Sequence, residues 1–224
     1  MRPYLVYVSS RHDWPVPPTW RNPARTFDLC LVGYDRAPLE PTAADMTFHS
    51  DLEKFRGAKA VLGSKLLDYE AVTFLDDDIE LTATDLTACF REGLAHGWKV
   101  WQPALTPDSF YSWKCTVQQV GKSAETTEFV EVMMPFFSRA GLAEALPTFS
   151  LNYGAFGLDV LWSSRTPREQ KGILHHLSAG HHRSIGSSSR LMPNGKTKLQ
   201  ELDELLRSQN LLPYWNRLCK GIVN

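Results

Sequence analysis

The sequence predicts an α/β fold with a mixed, mainly parallel central sheet and helices on its faces. Three observations lead there. Short apolar runs at Tyr4 to Val8, Phe27 to Gly33 and Ala71 to Leu75 have the length and the β-branched or aromatic content of buried strands. Helical patterns with their own start signals lie between and after those runs. At 224 residues the chain can bury a substantial core, and it suits one domain.

The elements follow in order. Met1-Arg2-Pro3 leads into the first strand, which is too short for a secretory signal and is followed closely by Arg11, His12 and Asp13. The loop from Ser9 to Arg25 carries Trp14 and Trp20 among Pro15, Pro17, Pro18 and Pro23. Its rings could stack on a base or sugar, and proline-rich surface turns look the same. After the second strand, Phe55, Ala58, Val61, Leu62 and Leu66 recur at helical spacing and predict a helix over 53–67. Lys54, Arg56 and Lys59 stand near its start, where cations and the helix dipole can meet phosphate.

The third strand is followed by Thr82-Ala83-Thr84-Asp85, a capping box ahead of Leu86, Cys89, Phe90 and Leu94. That helix ends at His96-Gly97, where glycine suits the left-handed C-terminal position, and Trp98 to Gln102 begins another strand. The second half is less regular. Phe129 to Phe137 is apolar around Glu131, and Pro135 tells against a long helix there. Thr197-Lys198-Leu199-Gln200 reads as a second capping box, opening an amphipathic helix through Leu202, Leu205 and Leu206. Residues 187–224 are therefore expected to form a helical extension.

With 24 basic and 25 acidic residues the net charge is −1, which gives no overall case for nucleic-acid binding. Cys30, Cys89, Cys115 and Cys219 are widely spaced and form no C-x-x-C pair, against zinc ribbons and redox motifs. No run of about 18 apolar residues occurs, so a membrane span is not expected. A cytoplasmic location follows, with peripheral membrane contact left open.

The most informative junction is Asp76-Asp77-Asp78, directly after the third apolar run. Ligands of open α/β sheets bind at such C-terminal strand ends. Three adjacent carboxylates repel one another unless a cation or hydrogen-bond donors compensate, and a hard divalent ion with oxygen ligands is a natural partner. A single aspartate could instead form a turn or cap a helix, but the next helix has its own cap. Glu131 is costly to bury without a partner, so it is either paired structurally or held for a ligand. In Gly154-Ala155-Phe156-Gly157-Leu158-Asp159 the glycines permit close backbone approach before another carboxylate. His175, His176, His181 and His182 cluster near Arg183 without the H-E-x-x-H spacing of zinc proteases. One histidine joining a remote aspartate is the simpler expectation.

Several of these segments together resemble the domain of unknown function 707 family, which is similar to GT-A glycosyltransferases. The resemblance rests on Tyr69-x-x-Val72-x-Phe74-Leu75-Asp76-Asp77-Asp78-Ile79, Gln102-Pro103-Ala104-Leu105, Phe129 to Arg139, Gly157-Leu158-Asp159 and His181-His182-Arg183-Ser184-Ile185-Gly186. It implies a GT-A-like three-layer α/β/α sandwich and a metal-dependent transfer of a sugar from a nucleotide-sugar donor to a carbohydrate or glycoconjugate hydroxyl, with inversion. Asp76, Asp78 and His181 would hold Mn2+ or Mg2+, and Asp76, Asp77, Arg11, Lys59 and Arg183 would meet the donor. Asp159 would be the catalytic base. Glu131, Gln102 and Phe156 would be acceptor-side or structural, and Phe156 stands where the family pattern commonly has tryptophan. Two other readings compete: a non-catalytic nucleotide- or carbohydrate-binding module, and a phosphatase of the haloacid dehalogenase type. The latter normally has Thr or Val where this chain has Glu80.

Overall fold

The computed structural model describes residues 1–35, 39, 44–183 and 191–222. The strands are β1 (Tyr4–Ser10), β2 (Phe27–Gly33), β3 (Met46–His49), β4 (Ala71–Asp76), β5 (Ile79–Glu80), β6 (Val100–Leu105), β7 (Ala124–Thr126), β8 (Phe136–Ser138) and β9 (Lys171–His181). The α-helices are α1 (Lys54–Val61), α2 (Ala83–Ala95), α3 (Arg139–Ala145), α4 (Leu158–Arg165), α5 (Lys198–Ser208) and α6 (Leu212–Ile222). The strands form one mixed sheet in the order β3-β2-β1-β4-β8-β6-β9-β5, with β7 also paired to β9. The block β3-β2-β1-β4 is parallel throughout, and β8 runs against both β4 and β6.

Alternation along β1 explains why the sheet must be covered twice. Leu5 and Tyr7 enter one core cluster with Phe55 of α1, Leu142 of α3, Leu161 and Trp162 of α4, and Leu202 and Leu205 of α5. Tyr4, Val6 and Val8 enter another with Leu86, Cys89 and Phe90 of α2. Strands buried on both faces read as continuous apolar runs, and the result is a three-layer α/β/α sandwich. Leu206 and Leu218 place α5 and α6 in the same core as α1 and α4.

Two expectations about element limits need correction. The helix expected over 53–67 ends at Val61; Gly63 takes φ +52° and begins a tighter 3-10 turn over Gly63–Asp68. Leu66 is still fully buried from that turn, which is why its spacing mimicked a longer helix. The strand expected from Trp98 starts at Val100, because Trp98 closes the helix end by donating its amide to Gly93 O at 3.1 Å and stacking on His96. Both capping boxes form, at Thr82 with Asp85 and at Thr197 with Gln200.

In β9 the register against β6 slips, so that Pro103 faces Leu174 and Ala104 faces Ser178. The extra residues bulge outward. His175 and His176 sit in that bulge, both amides donating to Ser123 O, and their rings pair with Glu125 and Glu92. His181 and His182 continue to the strand end. The four histidines therefore divide into a structural pair and a pair at the edge of the sheet.

Candidate active site at the carboxyl edge of the sheet

Parallel pairing sets Ser9 of β1 opposite Asp76 of β4 and Ser10 opposite Gly33 of β2, so these strand ends share one edge. The chain turns at Asp77-Asp78, and β5 then pairs antiparallel with the end of β9, Ile79 against His181 and Glu80 against Gly180. That short ladder brings a histidine remote in sequence to the acidic turn. Gly180 allows the approach, since a Cβ there would crowd Glu80 and the His182 ring.

Each aspartate faces a different basic side chain. Lys54 Nζ donates to Asp76 Oδ1 at 2.7 Å, Arg183 to Asp77 Oδ1 at 3.1 Å, and His181 Nε2 lies 3.5 Å from Asp78 Oδ2. Asp77 also accepts from the Tyr34 hydroxyl at 3.2 Å and the Arg11 amide at 3.4 Å. Asp78 is less well served: its Oδ1 is buried with no hydrogen-bond partner. Burial, and next the charge of Asp76, push its carboxyl above the usual carboxylate range.

A second acidic pair lies deeper. Gly157 takes φ +95° as the N-cap of α4 and so turns Asp159 into the first helical turn, where its Oδ1 accepts from Val160 N at 2.8 Å. Burial raises Asp159 to about 7, opposed by the amides of Val160 and Val132. Glu131 is raised to about 8, first by burial and then by the charge of Asp159, while the nearby Ser112 hydroxyl holds it down. Its Oε2 is buried and unpartnered. Gln102 serves the backbone: its Oε1 accepts from Glu131 N at 2.6 Å. Lys54 ties the two acidic groups together, because its ammonium also donates to Val132 O at 2.7 Å and Met133 O at 3.2 Å.

The remaining expected residues divide. Arg11 is exposed, with its Nε on Asp13 at 3.3 Å and only its amide turned to Asp77. Lys59 does not reach the acidic turn, a correction: its ammonium is held by Pro147 O at 3.2 Å and Ser150 Oγ at 3.0 Å, beyond the first turn of α1. Lys54, named beside Lys59 at the head of that helix, is the one that reaches the acidic turn. Phe156 packs against the core cluster that contains α4 and α5. Trp20 is fully buried, donating Nε1 to Leu81 O at 2.8 Å, so it anchors the loop; Trp14 borders the cleft. Ser184, Ile185 and Gly186 lie outside the described residues.

Whether these side chains suit the divalent ion implied by the resemblance is decided at His181. Its Nδ1 lies 2.7 Å from Phe110 O and must donate there, so in the neutral ring Nε2 carries a bare lone pair toward Asp78. Two facing lone pairs and an orphaned buried carboxylate oxygen suit a cation, and an Nδ1–H held by a carbonyl is the usual support of a ligating histidine. Asp78 and His181 thus fit. The expected three-residue set needs correction, since Asp76 is turned to Lys54, and no group of three or more metal-ligating side chains assembles among the described residues. Magnesium-type ions are often held by one or two carboxylates, with substrate phosphate and water completing the shell.

Two clefts flank the turn. One, of about 780 Å3, is bordered by Trp14, Asp77, Asp78, His182 and Arg183. The other, of about 610 Å3, runs from Ser9 and Tyr34 past Glu53 to Tyr153 and Lys198. Both are of a size to hold a nucleotide-scale ligand.

Solved structures share this architecture. S. aureus TarS 1–349 in complex with UDP-GlcNAc superposes with a TM-score of 0.58 at 11% identity, covering 93% of this chain and 65% of that one. The chain has a GT-A-like fold. TarS 1–349 in complex with UDP gives 0.51 at 12% identity over 83% and 61% of the two chains. The longer S. aureus TarS gives 0.55 at 11% identity over 95% and 40%. The chain thus spans 65% or less of the length of these structures. No family model and no curated protein sequence matches it. Among the described residues no helix is long and apolar enough to cross a membrane.

Proposed function

We propose that this protein is a nucleotide-sugar-dependent glycosyltransferase that moves a sugar to a hydroxyl acceptor with inversion at the anomeric carbon. The fold shared with a UDP-GlcNAc complex and a UDP complex supports a nucleotide-sugar donor at the carboxyl edge of the sheet. The likeness of several sequence blocks to the domain of unknown function 707 family points the same way. Most weight falls on one relationship: the Asp78 and His181 pair stands at the same edge as the buried Asp159 and Glu131 pair, with Lys54 joining them through Asp76 and the carbonyls of Val132 and Met133.

In this reading Asp78 and His181 would hold Mn2+ or Mg2+, which when bound would supply charge neutralisation for a nucleoside diphosphate leaving group. Arg183, a half-exposed cation beside Asp77 and Asp78, binds the donor phosphates when they arrive. Asp77 fixes Arg183 at the edge of one cleft and Tyr34 at the edge of the other. Asp159 accepts the proton of the acceptor hydroxyl as that oxygen attacks, which requires an approach of about 2.6 to 3.2 Å. A base raised to about 7 is well matched to such a transfer near neutral pH.

The test is release of nucleoside diphosphate from a panel of nucleotide sugars with manganese, with saccharide acceptors present and absent. Turnover with at least one donor, lost in Asp159→Asn while donor binding persists, supports the proposal. Tight donor binding without turnover under any condition would leave a binding module. Full activity in Asp159→Asn would remove that residue from the base role.

A further inference from the structure

The loop between β6 and β7 carries two adjacent aromatic rings on the surface, Phe110 at 50% and Tyr111 at 46% exposure. Neither belongs to a loose segment. On one side, Ser109 is buried, its hydroxyl lying 2.7 Å from that of Thr106 and accepting from His181 N at 3.0 Å. Phe110 is clamped by its backbone, its amide donating to His181 O at 2.9 Å and its carbonyl accepting from His181 Nδ1 at 2.7 Å. On the other side, the Trp113 ring packs 4.9 Å from Phe129 and 5.5 Å, edge to face, from Trp215 of α6. Between these anchors Ser112 lies against Glu131.

Holding two large rings in water on a fastened backbone is unfavourable for folding, since each ring forgoes the gain of burying its apolar area. Such exposure beside a site is a mark of binding. Its chemistry is selective. The backbone that carries the rings is fastened to the candidate metal ligand His181 on one side, and on the other its Ser112 lies against Glu131, whose buried Oε2 lacks a partner. A ligand for this place needs an apolar face for the rings and hydroxyls at its rim for the carboxyl groups. A pyranose ring has both: its C–H face is apolar and its edge is polar. A lipid chain would leave the acids unsatisfied.

We infer that Phe110 and Tyr111 form the stacking platform for the acceptor, and that the acceptor is a carbohydrate whose sugar ring lies on them with a hydroxyl directed to Glu131 and Asp159. The inference rests on the glycosyltransferase reading for the word acceptor, and its saccharide-binding content is separable from it. Calorimetric titration of cellobiose, maltose, lactose, mannobiose and chitobiose into the full chain, with UDP and manganese present, tests it. At least one saccharide is expected to bind, and Phe110→Ala with Tyr111→Ala is expected to weaken it about tenfold or more. UDP affinity and thermal midpoint should stay unchanged in that variant. Tyr111→Phe, which keeps the ring, should retain saccharide binding. A wild-type protein that binds UDP but none of these saccharides would overturn the inference, as would a loss below about twofold in the double variant. A protein that binds a saccharide through the two rings but binds no nucleotide or nucleotide sugar would instead sink the transferase proposal and leave the platform standing.

Discussion

Lys54 Nζ lies 2.7 Å from Asp76 Oδ1, and its side chain is nearly buried while the carboxylate remains about half exposed. The same ammonium donates to Val132 O and Met133 O, so one cation joins the head of α1, the tip of β4 and the irregular segment that carries Glu131. A lysine has three donors and no acceptor, and here all three have partners. Asp76 is thereby committed to the protein. Asp78 keeps the free buried oxygen.

Lys54→Met would remove the cation while keeping much of the buried stem. It would leave Val132 O without that donor and Asp76 without its charge partner. A loss of about 2 kcal/mol is expected, moderated by the exposure of Asp76. Urea unfolding with an unchanged slope would measure it. A change below about 0.5 kcal/mol would mean that the three contacts contribute no net stability.

How much of this was legible follows the range of each interaction. The capping boxes at Thr82 and Thr197 are written within four residues, and the sequence shows them. The apolar runs of β1, β2 and β4 are equally local. Lys54 meets Asp76 from 22 positions away and Val132 from 78, and no periodicity encodes that pairing. Lys59 looked equivalent in composition, yet it lies more than a turn along α1 and faces Pro147. The histidines were legible as a cluster from which one would join a remote aspartate; the bulge in β9 that separates His175 from His181 arises from register with β6. Gly63 carried a local signal for the helix break, which the buried Leu66 beyond it obscured.

Asp159 and Glu131 predict a pH dependence with a definite sign. Both are raised by burial, to about 7 and about 8, from ordinary values of 3.8 and 4.5. Glu131 also feels Asp159, Asp76 and Lys54, so the two acids titrate as a coupled pair. The folded state holds protons that the unfolded chain has released. The resulting stability is fully present below about pH 4 and is lost as pH rises through 7 and 8. Denaturation midpoints should therefore fall between pH 5 and pH 8 more steeply in wild type than in Asp159→Asn. Transferase activity should run the opposite way, rising through about pH 7 as Asp159 becomes a base. Equal slopes in the two proteins would remove Asp159 from the titration.

Gly93 tests the packing beneath the site. It lies in α2 directly over Trp101, and a Cβ there would overlap the indole ring. That ring is fully buried and donates Nε1 to Cys89 O at 2.8 Å, so it has no room to retreat. Gly93→Ala would gain helix propensity yet is expected to destabilise, at the upper end of roughly 1–3 kcal/mol for overpacking. A thermal midpoint at or above that of wild type would contradict the packing.

Asp78 and Asp76 separate a two-ligand metal site from a three-ligand one. If the ion is held by Asp78 and His181, with donor phosphates and water completing its shell, then Asp78→Ala should abolish manganese-dependent UDP binding. His181→Ala should weaken it by about 100-fold, since it removes a nitrogen ligand already oriented by Phe110 O. Asp76→Asn should leave manganese-dependent binding within about threefold, because that carboxylate is spent on Lys54. The amide retains an oxygen for the ammonium, so the fold should survive. Calorimetry of UDP with and without manganese distinguishes the cases: equal losses in Asp76→Asn and Asp78→Ala would restore the three-residue site, and no loss in Asp78→Ala would exclude both.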